Sequence, residues 1–336
     1  MKHTWKITFI LLTMFLATQF IGLIVINAYS PTQKIIINQS TGQEEIVNVH
    51  EPLPYGMEPP QTEQKLNLIS IIISFTIAIS LVLIFIKYKF KFIIKAWFFI
   101  VVALALAISL NALLMSAFPN LKFAQFNYAS SQISYLALSM LVLSIIISFL
   151  KVYRPNFILH NLTELFIYPG IAAVFVPILN VVSIIFLLIL ISIYDMWAVW
   201  HSGIMQKMAK FQIEELKVLG GFLVPYIPAN LKKKLKKMKK SELKNKKIKI
   251  SLAILGGGDI VFPIITAGVF LRNSSFGLIP ALFVIFGAFC GLLFLFLRSE
   301  KKKFYPAMPF ITIGIFAGII LSFLVKLISL SFFMLV

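Results

Sequence analysis

Aspartate is almost missing from this chain: among 336 residues it occurs only at Asp195 and Asp259. Acidic residues total 12 against 31 Lys and Arg, histidine occurs four times and cysteine once. These scarcities exclude several kinds of chemistry. The single cysteine, Cys290, can make no intrachain disulfide and suggests no metal site. His3, His50, His160 and His201 are scattered and build no His-Glu-x-x-His zinc motif. No Ser–His pair falls inside an apolar run, since His201-Ser202 stands at the end of one. The formal charge of +19 does not mark a nucleic-acid binder. Eleven of the 31 basic residues lie between Lys232 and Lys249, and the others fall mostly in short segments between apolar runs. Topogenic positive charge in a membrane protein is distributed in this way.

What the chain has in excess is apolar sequence, 60% of all residues. A membrane-crossing helix needs about 20 mostly apolar residues at ~1.5 Å rise each. Nine such runs are expected, at 5–29, 66–86, 96–118, 133–150, 162–176, 179–200, 250–271, 276–297 and 309–325. The fold class is therefore all-α, a polytopic transmembrane helical bundle. The first run is too long for a secretory leader and reads as a retained helix. Charge alternates between loops. The 30–65 segment carries five Glu against Lys34 and Lys65, whereas the next loop holds Lys87, Lys89, Lys91 and Lys95. Lys151 and Arg154 mark another basic loop, as do Arg298, Lys301, Lys302 and Lys303. The pattern places the N-terminus in the cytoplasm and the C-terminus outside.

Three parts follow: residues 1–200 as a six-span bundle, 201–249 as a basic cytoplasmic loop, and 250–336 as a three-span bundle. In the loop, Leu231, Leu235 and Met238 recur at helical spacing among lysines. That suits an amphipathic helix on anionic lipid, and equally a solvated charge cluster. Residues 218–227 are apolar but broken by Gly220, Gly221 and Pro225, and carry no expected chemistry.

Both aspartates lie inside expected spans, where an ionisable side chain is costly and marks function. Asp195 stands 12 residues before Lys207, and Asp259 stands 10 residues after Lys249. At helical rise this puts both roughly 15–18 Å from a cytoplasmic lysine. Consecutive antiparallel spans would then bring two carboxyls to one level. Two carboxyls a few Å apart share one proton, so that one can activate water while the other protonates a carbonyl oxygen. Gly256, Gly257 and Gly258 precede Asp259 and weaken helix where a second backbone could approach. Tyr194 precedes Asp195. Taken alone, the tyrosine reads as an interfacial anchor and the glycines as helix packing.

Tyr194-Asp195 resembles the Tyr-Asp motif of the presenilin and signal peptide peptidase family, and Gly256-Gly257-Gly258-Asp259 its Gly-x-Gly-Asp motif. Pro306-Ala307-Met308 is similar to its Pro-Ala-Leu motif, with Met308 in place of Leu. The resemblance extends over nearly the whole chain, in motif order and span number. It implies hydrolysis of peptide bonds within transmembrane helices, catalysed by Asp195 and Asp259, with no metal or organic cofactor. Expected partners are transmembrane-helix substrates and membrane lipids, with no nucleic acid and no obligate subunit.

Pro306 and Pro309 disfavour continuous helix. An extended 303–308 segment could offer backbone groups to an unwound substrate. Without the motif, this stretch reads as an ordinary helix start with proline in its first turn. Two other functions remain open at this stage: a proton- or cation-translocating transporter using the same aspartates, and a non-catalytic membrane scaffold. The transporter lacks a convincing inverted repeat, and the scaffold leaves the paired aspartates unexplained.

Overall fold

The structure is a computed structural model. It describes residues 5–30, 32–37, 44–49, 53–56, scattered positions between 69 and 88, 90–118, 125–128, 131–154, 156–201, 220–226, 251–273, 276–300 and 305–333. Eight long helices are described within these limits. They are α1 (Trp5–Ala28), α2 (Lys91–Ala117), α3 (Tyr135–Tyr153), α4 (Phe157–Phe175), α5 (Val181–Trp200), α6 (Gly257–Arg272), α7 (Leu278–Arg298) and α8 (Met308–Phe333). Three antiparallel strand pairs accompany them: β1 (Thr32–Ile37) with β2 (Glu44–Val49), β3 (Gln125–Tyr128) with β4 (Ser131–Ser134), and β5 (Gly221–Tyr226) with β6 (Ser251–Gly256).

Seven of the helices, all but α6, are long and apolar enough to cross a membrane. The chain is a multi-pass membrane protein. The expected second span, 66–86, falls largely outside the described residues, as does the amphipathic stretch around Leu231, Leu235 and Met238. The expected fifth span, 162–176, begins earlier than its apolar run, because α4 starts at Phe157 with Asn156 capping the Ile158 amide.

The expected seventh span needs correction. Residues 250–271 are not one helix: Ser251–Gly256 is strand β6, and α6 starts only at Gly257. Sixteen residues of helix reach about 24 Å, short of a ~30 Å hydrocarbon core, so extended chain makes up the difference. Helical rise therefore does not apply between Lys249 and Asp259. Strand at such depth is tolerated only where protein satisfies its backbone, and β5 does so along one edge. The register runs from Gly221 opposite Gly256 to Tyr226 opposite Ser251. Residues 218–227, expected to carry no chemistry inside a cytoplasmic loop, thus supply a strand whose Gly221–Val224 portion is buried. Gly221 is required there. Its φ is +120°, and a Cβ would collide with the Leu255 carbonyl oxygen.

The main core surrounds α6. Ile260, Ile264 and Phe270 are fully buried, packed with Phe15 of α1, Leu188 of α5, Phe222 of β5, Leu292 of α7 and Ile311 of α8. Gln19 of α1 donates to the Ile260 carbonyl at 3.0 Å. Gly287 and Gly291 of α7 face Gly314 and the backbone of Phe310 on α8, so close that a Cβ would strike carbonyl oxygens. Small residues at a helix contact allow this approach within a membrane.

Candidate active site

Asp259 is the third residue of α6, and Gly256 is its N-cap. The carboxyl turns back toward this cap: a Cβ added at Gly256 would lie 3.1 Å from Asp259 Oδ2. Strand, cap and carboxyl therefore form one local unit, and the position of β6 dictates that of Asp259. Pro263, one turn on, lacks the N–H that would bond the Asp259 carbonyl.

Asp195 lies in the last turns of α5 and is buried, 8% exposed. Met308 N donates to its Oδ2 at 3.0 Å. The local sequence limits which amides can do so. In Pro306-Ala307-Met308-Pro309 the two prolines have no N–H. Of the two amides between them, at the start of α8, that of Met308 bonds Asp195. One turn away, the Ser192 and Thr312 hydroxyls bond at 2.8 Å, a second link between α5 and α8.

The Asp195 and Asp259 carboxyls lie near enough to interact electrostatically. Tyr194 sits half-buried beside Asp195, its ring 6.3 Å from that of Trp197. Of Gly256, Gly257 and Gly258, Gly257 is the most confined: an added Cβ would come 2.7 Å from the Tyr168 Oη. Of the expected extended 303–308 segment, 303 and 304 lie outside the described residues, Tyr305 and Pro306 are neither helix nor strand, Ala307 is a bend and Met308 begins α8. The described extended chain next to the pair is β6.

A family model described as signal-peptide peptidase, presenilin aspartyl protease matches residues 47–328. The chain belongs to the signal-peptide peptidase and presenilin family. It is an intramembrane aspartic protease of that family, and Tyr194-Asp195, Gly256–Asp259 and Pro306-Ala307-Met308 all fall within the matched residues. A solved structure of a presenilin family intramembrane aspartate protease in the P2 space group is similar, with TM-score 0.52 and 17% identity over 94% of this chain and 96% of that one. Another, in the C222 space group, has TM-score 0.49 and 15% identity over 94% and 99%. At such identities the likeness concerns the fold alone. No curated protein is similar enough in sequence to match.

Sequence reasoning missed a second polar cluster on α4, beside the family site. Lys151, expected in a basic loop, is instead buried in the last turn of α3. Its Nζ lies 2.6 Å from Glu164 Oε1, 2.9 Å from Thr163 Oγ1 and 3.3 Å from His160 Nδ1. His160 Nε2 is 2.8 Å from the Gly221 carbonyl oxygen. A carbonyl only accepts and an ammonium only donates, so the arrangement sets the imidazole as neutral with its hydrogen on Nε2. Asn161 holds Leu223 twice: Nδ2 donates to its carbonyl at 2.8 Å, and Oδ1 accepts its N–H at 2.9 Å. The buried Tyr168 hydroxyl is flanked by the Glu164 carboxyl and the Gly221 backbone, beyond hydrogen-bond distance. Glu164 lies inside the expected fifth span, so the test that singled out the aspartates would have found it.

Proposed function

We propose that Asp195 and Asp259 form the catalytic dyad of this protease, which cuts peptide bonds inside transmembrane segments of other membrane proteins. The observation that supports this reading is that two carboxyls delivered by separate helices lie near enough to interact electrostatically, Asp195 held by the Met308 N–H and Asp259 set one turn from its helix cap. One carboxyl takes a proton from water as it attacks the scissile carbonyl, and the other donates to the carbonyl oxygen. The pair titrates as a unit, so neither role belongs permanently to one residue.

A helical peptide bond must unwind before water reaches it. Among the described residues no strand pairs with the outer edge of β6. An unwound substrate added there as a strand would run alongside Gly256 toward Asp259. Tyr194 borders the dyad, and Pro306, Ala307 and Met308 act through Asp195 while lining the same space.

The full plan has nine spans, with the N-terminus cytoplasmic and the C-terminus outside, in a prokaryotic cell membrane. The loop charges support it. Substrates with their N-terminus outside are preferred, membrane lipids are the surrounding partners, and no further subunit is needed. The test uses purified chain in liposomes with a single-pass helical substrate, the fragments being mapped by mass spectrometry. Cuts within the apolar segment are expected. Cuts confined to the water-exposed flanks would overturn the reading.

A further inference from the structure

Strand β5 has two edges. In antiparallel pairing, residues alternate between exchanging hydrogen bonds with the partner strand and directing their N–H and C=O away from it. Leu223 is of the second kind, because both of its backbone groups are held by the Asn161 side chain. Gly221 shares its parity, and the Gly221 carbonyl goes to His160 Nε2. Two consecutive side chains of α4 thus take the place of a third strand along the outer edge of β5.

This attachment bears on catalysis through a short chain of contacts. Gly221 stands opposite Gly256 in the register, and Gly256 caps the helix that carries Asp259, so close to its carboxyl that an added Cβ would lie 3.1 Å from Oδ2. Asn161 contacts neither aspartate in any described interaction, so it acts through the strands. On the same helix, Tyr168 presses against Gly257, where an added Cβ would come within 2.9 Å of its ring carbon Cε1. The buried ion pair of Lys151 with Glu164 adjoins His160 and holds the helix end.

We propose that Asn161 and His160 are positioning residues for Asp259: they clamp β5 to α4, so that β6 and the α6 start place the carboxyl against Asp195. The inference rests on the dyad reading above. If the clamp is released, the folded enzyme still takes up substrate but aligns its carboxyls poorly. The loss then falls on turnover rather than on substrate affinity.

The experiment compares Asn161→Leu, His160→Leu, His160→Gln and Asp259→Asn in the full-length chain, with kcat and KM normalised to monodisperse folded enzyme. Asn161→Leu and His160→Leu are expected to lower kcat at least ten-fold with KM within about two-fold of wild type. His160→Gln keeps an N–H for the Gly221 carbonyl and is expected to retain at least half of kcat. A normalised kcat unchanged in Asn161→Leu, or His160→Gln as impaired as His160→Leu, overturns the proposal. If Asn161→Leu does not fold, the two His160 variants decide. Asp259→Asn separates the levels. Inactive Asp259→Asn beside fully active Asn161→Leu refutes positioning alone, whereas active Asp259→Asn refutes the dyad and this proposal with it.

Discussion

Met308 donates its backbone N–H to Asp195 at 3.0 Å, joining the first residue of one membrane helix to a carboxyl near the end of another. It makes the Pro-Ala-Met segment a holder of Asp195. Met308→Pro removes this donor and is expected to slow turnover about 10–100-fold, the scale of a lost hydrogen bond to a charged group. Met308→Leu keeps the amide and should stay near wild type. Initial cleavage rates at saturating substrate measure both.

Ser192 and Thr312 form the neighbouring link and are buried at 7% and 5% exposure. Ser192→Ala leaves the Thr312 hydroxyl buried without this partner, at a cost of about 1–3 kcal/mol. Ser192→Ala with Thr312→Val removes both hydroxyls and should recover most of the loss. Unfolding midpoints in detergent, read as a double-mutant cycle, test this coupling.

Gly257 occupies the variable position of the Gly-x-Gly-Asp motif, yet here Tyr168 fills the space a side chain would need. Gly257→Ala should displace the α6 start and abolish most activity, and should do less harm when combined with Tyr168→Leu. Gly258→Ala meets only Phe262 at 3.8 Å and should unfold at the wild-type midpoint.

Lys151 and Glu164 are each 2% exposed at the side chain and 2.6 Å apart. Lys151→Met strands the Glu164 carboxylate and should destabilise the protein by about 3–5 kcal/mol. Adding Glu164→Gln removes the unpaired charge and should restore much of the stability. Thermal unfolding of the single and double variants checks the prediction.

The aspartates were legible in the sequence because a charged side chain in an apolar run stands out against the cost of burying it. Pro306-Ala307-Met308 was legible as a motif, but its partner was not, since nothing local says that an amide between prolines meets Asp195 on another helix. Strand β6 was hidden for a different reason. Ser251–Leu255 continues into apolar α6, and a short apolar run does not distinguish strand from buried helix by periodicity. Its partner Gly221–Tyr226 lies across a lysine-rich connection, so pairing is a tertiary fact. Lys151 was masked by its neighbour Arg154, which made an inward-facing ammonium look like one more topogenic charge.

The central claim is that hydrolysis depends on both carboxyls. Asp195→Asn and Asp259→Asn change the shape of the site least while removing its acid–base chemistry. Each purified variant, incubated in liposomes with a single-pass substrate, is expected to yield no fragments cut within the apolar segment while unfolding at the wild-type midpoint. Wild-type cleavage rates from either variant would contradict the account.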